Sequence, residues 1–364
     1  MMKTKKNKIF VSMICFSCGI IFCFILLLLD FFYRPDSSGM SFGKRLFVFF
    51  VQPWSSGFYI GNSFNTFFLF LLSGLAALFP LITGSINIGG EGQVYTGGLL
   101  TAVLLTHIPL SNSFLGLLIT CILVILVTGF IGLISGILKE SLDLPEILST
   151  YLISLILIYL CDYLIIGPFK SSGNLIATEH IPEIFRFGKI FPPSSLNYSL
   201  IFIILIYVFA LIFFYVTSKG RQFLIVGKSR PFSELQGFRP ENVVKSGLFV
   251  SAALYGMVGF FAVTGTYYTC YQGFYSSLGW NGLSTALLGG INIWGLIPGA
   301  LIFSCLKVGI ENTALFGVLN FDTGYLVQGV VLLLLSLGYY KKSEESGQSS
   351  EKDKKKKSKF WIWE

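Results

Sequence analysis

The sequence predicts an all-α, polytopic membrane protein of about ten transmembrane helices, and three observations predict it. Of 364 residues 54% are hydrophobic and only 12% charged, about half the charge that coats a soluble surface. The apolar stretches run continuously, as over residues 9–29. Barrel strands would instead alternate over segments of about ten residues. The high apolar content and the low charge exclude a soluble enzyme, a disordered chain and a secreted disulfide scaffold, and the continuous runs exclude a barrel.

The first span is residues 9–29, preceded by Lys3, Lys5, Lys6 and Lys8. Its 21 residues exceed a signal-peptide apolar region, and Asp30, Phe31, Phe32 and Tyr33 follow in place of a small-residue cleavage site. It is read as an uncleaved span. The others are expected near 61–83, 89–107, 113–138, 147–166, 199–218, 247–268, 281–293, 296–309 and 324–340, by the length that crosses a bilayer core, about 20 residues. The pair 281–293 and 296–309 is short, and merging it would leave nine spans.

Charge decides between those counts, because Lys and Arg beside spans stay in the cytoplasm. With ten spans, segments 1–8, 139–146, 219–246 and 341–364 are cytoplasmic and hold 19 Lys and Arg; the external loops 30–60 and 167–198 hold 6. Nine spans would put the basic tail outside. Both termini are therefore expected in the cytoplasm. The organisation is a tail at 1–8, a transmembrane domain at 9–340 and a basic, disordered tail at 341–364. That tail ends in Phe360, Trp361, Ile362 and Trp363, a composition suited to lipid headgroups. Loop 167–198, punctuated by Pro168, Pro182, Pro192 and Pro193, is expected to be compact.

Chemistry-bearing motifs are sparse. Gly227-Lys228-Ser229 resembles the end of a phosphate-binding loop, but the required earlier glycine is Gln222. His107 and His180 are far apart, and no triad or metal-binding pattern occurs, so no catalytic residue, metal or cofactor is assigned, and no nucleic-acid partner. Six of seven cysteines lie within apolar runs and read as small buried hydrophobes; Cys270, near a predicted helix end, is the one that could face an aqueous compartment.

Residues 84–98, GSINIGGEGQVYTGG, carry six glycines, a carboxylate and amides where a span should start. Irregular backbone at membrane depth is tolerated only against protein or a water-filled cavity, and broken helices build transporter pathways. Glu91 is read either as functional, as intramembrane carboxylates are, or as a cap on a broken helix. A second Ile-Asn-Ile occurs at 291–293, after Gly289 and Gly290, so an inverted internal repeat is expected. Candidate pathway residues are Asn87, Glu91, Gln93, Tyr95, Trp280, Asn281 and Asn292. In loop 219–246 the basic sequence is interleaved with Phe223, Leu224, Phe232, Leu235 and Phe238, an apolar face for docking a partner.

The ordered set INIGGEGQ, DLPEILST at 143–150, GRQFLIVGKSRPFSELQGF at 220–238, and GWNGLSTALLGG with Pro298-Gly299 resembles the permease subunits of bacterial ABC importers for ribose, branched-chain amino acids and nucleosides, nearest the nucleoside and simple-sugar subgroup. The resemblance covers about 60–340. It implies a bacterial inner-membrane importer subunit whose partners are an ATP-binding cassette subunit, a second permease and a periplasmic or lipoprotein substrate-binding protein. It places the ATPase-coupling loop at Gly220, Arg221, Gly227, Phe232, Glu234 and Gly237. The competing reading is an ion-coupled secondary transporter, which needs deep carboxylates; Glu91, Asp162 and Glu311 are the candidates, and Lys307 stands one turn before Glu311.

Overall fold

The computed structural model describes residues 21–32, 40–107, 112–275 and 277–318, with isolated positions at 326, 329, 330 and 333. The expected tails at 1–8 and 341–364, the first part of span 9–29 and nearly all of span 324–340 lie outside the described residues.

The chain forms α1 (Ile21–Phe32), α2 (Phe42–Leu46), α3 (Gly57–Ile82), α4 (Gly90–His107), α5 (Ser113–Leu142), α6 (Glu146–Ile166) and α7 (Ser199–Val216). Two short helices, α8 (Ser218–Lys228) and α9 (Arg230–Leu235), precede α10 (Pro240–Phe261), which continues as a wider turn over Ala262–Tyr267. α11 (Leu278–Leu288) and α12 (Ile293–Leu315) follow. Among the described residues six helices are long and apolar enough to cross a membrane: α3, α5, α6, α7, α10 with its extension, and α12. α4 adds 18 residues.

The expected span 281–293 is corrected. Its helix is only 11 residues, about 16 Å at 1.5 Å per residue, half of a roughly 30 Å bilayer core. The chain breaks at 289–292, and α12 then runs past the expected 296–309 to Leu315. The Tyr207 hydroxyl, midway along α7, donates to the Ile293 carbonyl at 2.7 Å, so α12 starts at mid-depth. α10 starts seven residues before the expected span, its first turn being polar.

α3 and α10 are the inner helices, 78% and 83% buried over their apolar windows, against 28% for α5 and α7. The outer helices expose Phe130, Ile156, Tyr159 and Phe209, side chains that suit lipid. The inner ones approach through small residues. A Cβ on Gly97 of α4 would collide with the Gly256 carbonyl of α10. Such contacts let backbones meet where no hydrophobic effect drives association.

The bundle has a basic end, carrying α8 and α9, and an opposite end covered by loop 167–198. That loop is compact, as expected. Thr178 donates its N–H to the Cys270 carbonyl at 2.9 Å, Ile181 to Tyr268 at 2.9 Å and Phe187 to Thr264 at 3.0 Å. The strap buries Cys270 completely, so it shares the buried setting read for the other cysteines and does not face water. In the first loop, Arg45 is fully buried and paired with Asp30.

Candidate functional site

Both glycine-rich interruptions are built alike. α3 closes with the Ser85 N–H on the Pro80 carbonyl at 3.0 Å and the Gly84 N–H on Leu81 at 3.2 Å. Gly84 takes φ +80°, the left-handed position that ends helices. α11 closes with Ile291 N–H on Ala286 at 3.0 Å and Gly290 N–H on Leu287 at 2.9 Å, with Gly290 at φ +71°. An asparagine then starts the next helix in each case. The Asn87 side-chain oxygen accepts from Gly89 N–H at 2.9 Å, and that of Asn292 from Trp294 N–H at 3.2 Å. The Ile-Asn-Ile echo is therefore a recurring helix-turn-helix joint. The joints differ in depth. The first lies at the basic end, where Ser85 accepts from Lys139 Nζ at 2.9 Å and Gly227 of α8 abuts the Ile82 carbonyl; the second lies at mid-depth. Ile291 sits at φ +53°, which is strained for a β-branched residue.

The segment 84–98 is non-helical only over 84–89. From Gly90 the helix is continuous, because its glycines serve close packing: a Cβ on Gly92 would press against the Ser154 backbone. α6 supports this start with a polar stripe. Thr150 Oγ1 accepts from Ile88 N–H at 3.2 Å and Ser154 Oγ from Gly92 N–H at 2.9 Å. Asn87 Nδ2 donates to Gln93 Oε1 and Ser251 Oγ, both at 2.9 Å.

Glu91 is 6% exposed. Its Oε1 accepts from Trp280 N–H at 3.0 Å, in the first turn of α11. Ser277, at the cap position, makes no side-chain cap bond. Glu91 thus caps α11 from another helix. The capping alternative fits, although the helix capped is α11 and not α4. Tyr95 is fully buried, donates to Asp162 Oδ1 at 2.6 Å and rests on the Tyr275 ring at 4.7 Å.

The structure therefore joins Asn87 with Gln93, and Glu91 with Trp280, while Tyr95 and Asn292 lie in separate contacts. Asn87, Gln93, Tyr95 and Asn281 are buried; Trp280 and Asn292 are half-buried. Ser154 and Ser251 were missed from sequence, since single hydroxyls inside apolar runs give no signal; Thr150 lay in the DLPEILST segment without an assigned role. Of the deep carboxylates, Asp162 holds Tyr95, and Glu311 pairs with Lys307 at 3.7 Å.

In the basic loop, Thr217 caps α8 by accepting from Gly220 N–H at 3.0 Å, and Ser229 caps α9 by accepting from Phe232 N–H at 3.4 Å. The expected single apolar face is split. Phe223 turns inward against Phe79, Phe213 and Phe214. Phe232 and Leu235 point outward, 51% and 87% exposed. Gly220 and Gly227 fit against the Phe213 and Ile82 carbonyls, Gly237 turns the chain at φ +79°, and Arg221 and Glu234 are exposed.

Residues 59–336 match the family described as the branched-chain amino acid transport system, permease component. The chain belongs to this family. The permease is 33% identical over 276 residues to the probable riboflavin import permease RfuC of Treponema pallidum, covering 74% of this chain and 71% of that protein. It is 25% identical to the guanosine ABC transporter permease NupP of Bacillus subtilis, over 74% and 78% of the two chains. It is 26% identical to the nucleoside ABC transporter permease NupB of Lactococcus lactis, over 68% and 71%. No solved structure matches it. The protein is a multi-pass permease subunit of an ATP-driven importer.

Proposed function

We propose that the permease carries a nucleoside-like solute, a planar nitrogen heterocycle bearing a hydroxylated five-carbon group, inward across a bacterial inner membrane. Riboflavin and guanosine, named in two of its relatives, share that chemistry; a simple sugar has only the hydroxylated part. Trp280 and Asn292 form part of the pathway wall, offering a ring to stack on and a polar amide, while Asn87, Glu91, Gln93, Tyr95 and Asn281 hold that wall in place. The partners are an ATP-binding cassette subunit beneath α8 and α9, a second permease across the pathway, and a substrate-binding protein at the opposite end.

The observation that carries the coupling assignment is the outward pair Phe232 and Leu235 on an otherwise basic loop. Apolar side chains on a solvated loop gain nothing from lipid and suit a protein groove. The basic end is cytoplasmic by the distribution of Lys and Arg. The test is co-purification of the permease with its ATPase, then uptake of labelled riboflavin, guanosine and ribose into proteoliposomes. ATP-dependent uptake of riboflavin or guanosine is expected; uptake of ribose alone would reject the heterocycle, and uptake driven by an ion gradient without ATP would reject the importer assignment.

A further inference from the structure

Two neighbouring residues at the basic end of α5 hold two different parts of the molecule. Glu140 Oε2 accepts from Arg230 Nη2 at 2.6 Å, and Arg230 is the first residue of α9. Lys139 Nζ lies 3.0 Å from Glu146 Oε1, at the start of α6, and 2.9 Å from Ser85 Oγ, in the first joint. The Glu140 side chain is only 7% exposed, and its second oxygen is buried without a hydrogen-bond partner. A nearly buried carboxylate with one cationic partner is costly to leave unpaired. Arg230 is itself 44% exposed, on the element that carries Phe232 and Leu235, so a protein bound there can move it.

From Ser85 the contacts continue inward. Thr150 and Ser154 of α6 hold the Ile88 and Gly92 amides, and Glu91 caps α11 at Trp280. α11 ends at the strained mid-depth joint. These ion pairs and hydrogen bonds between elements are joined by short stretches of chain within α5, α6 and α4, and together they connect α9 to α11.

We infer that the Lys139-Glu140 pair is the link that transmits movement of α9 to the glycine-rich joint, with Glu140 as the positioning residue that reads α9 and Lys139 the one that holds the joint. This rests on the reading that α8 and α9 meet an ATPase. A charge swap measures the coupling.

The experiment uses the whole importer in proteoliposomes and needs no knowledge of the solute. Trp294→Cys, at a residue 56% exposed beside the mid-depth joint, reports its accessibility through maleimide labelling read by mass spectrometry. With Arg230 and Glu140 intact, ATP with vanadate is expected to change the labelling rate about fivefold or more. Glu140→Gln and Arg230→Gln are each expected to abolish that change while ATP hydrolysis continues. The swap Glu140→Arg with Arg230→Glu is expected to restore it. An unaltered response in Glu140→Gln overturns the link, as does absence of any response in the intact pair; a swap that accumulates normally yet fails to respond does the same. Failure of the ATPase to co-purify instead overturns the functional reading, whereas hydrolysis with a normal Glu140→Gln response overturns the link alone.

Discussion

Replacing Glu91 separates its capping role from any role of its charge in transport. Its Oε1 satisfies an amide in the first turn of α11, a helix too short to be stable by itself. Losing an N-cap oxygen costs about 1 kcal/mol, within a range of about 0.5–2 kcal/mol. Glu91→Ala removes that oxygen and is expected to weaken α11 by about 1–2 kcal/mol, which is about 5- to 30-fold in local opening. Glu91→Gln keeps an acceptor oxygen for the same amide. Hydrogen exchange followed by mass spectrometry over Leu278–Leu288 reads this directly, since amide protection reports local opening. Protection is expected to be kept in Gln and reduced in Ala. Uptake completes the comparison: if capping is the role, Gln transports and Ala does not, whereas if charge itself gates, Gln keeps its protection and fails to transport. Unchanged protection across α11 in Glu91→Ala would refute the cap.

Three further outcomes follow from the geometry. Gly97→Val is expected to prevent close contact of α4 with α10, because its branched side chain would enter the Gly256 backbone; membrane levels and detergent stability would fall, and wild-type stability would contradict the packing. Phe232→Ala and Glu234→Arg, both at exposed positions, are expected to abolish ATP-driven uptake at normal membrane levels; unchanged uptake in both would remove the coupling assignment. Alkaline phosphatase fused after residue 342 is expected to be inactive and, fused within 167–198, active; reversed activities would invert the orientation.

The linear chain carried most of the architecture because lipid imposes it. Continuous apolar runs had to become helices, and the lengths of α3, α5, α6 and α7 follow from the runs themselves. Glycine-rich sequence marked both joints, since Gly84 and Gly290 adopt a backbone conformation that disfavours a side chain. Composition left undecided what each glycine was for. Gly84 ends a helix, whereas Gly90, Gly92, Gly97 and Gly98 continue one and admit neighbours; only the packing distinguishes these, because both uses require the absence of a Cβ. The depth of the second joint was likewise hidden: 281–293 is apolar enough to cross, yet α11 stops at Leu288 and caps onto Glu91, a residue 189 positions away. The basic loop advertised five apolar side chains, and tertiary contacts turned Phe223 inward while leaving Phe232 and Leu235 outside. The pairing of Glu140 with Arg230 joins residues 90 positions apart. Sequence supplied the charges, and only the fold decided which met, because an ion pair depends on distance in space and not along the chain.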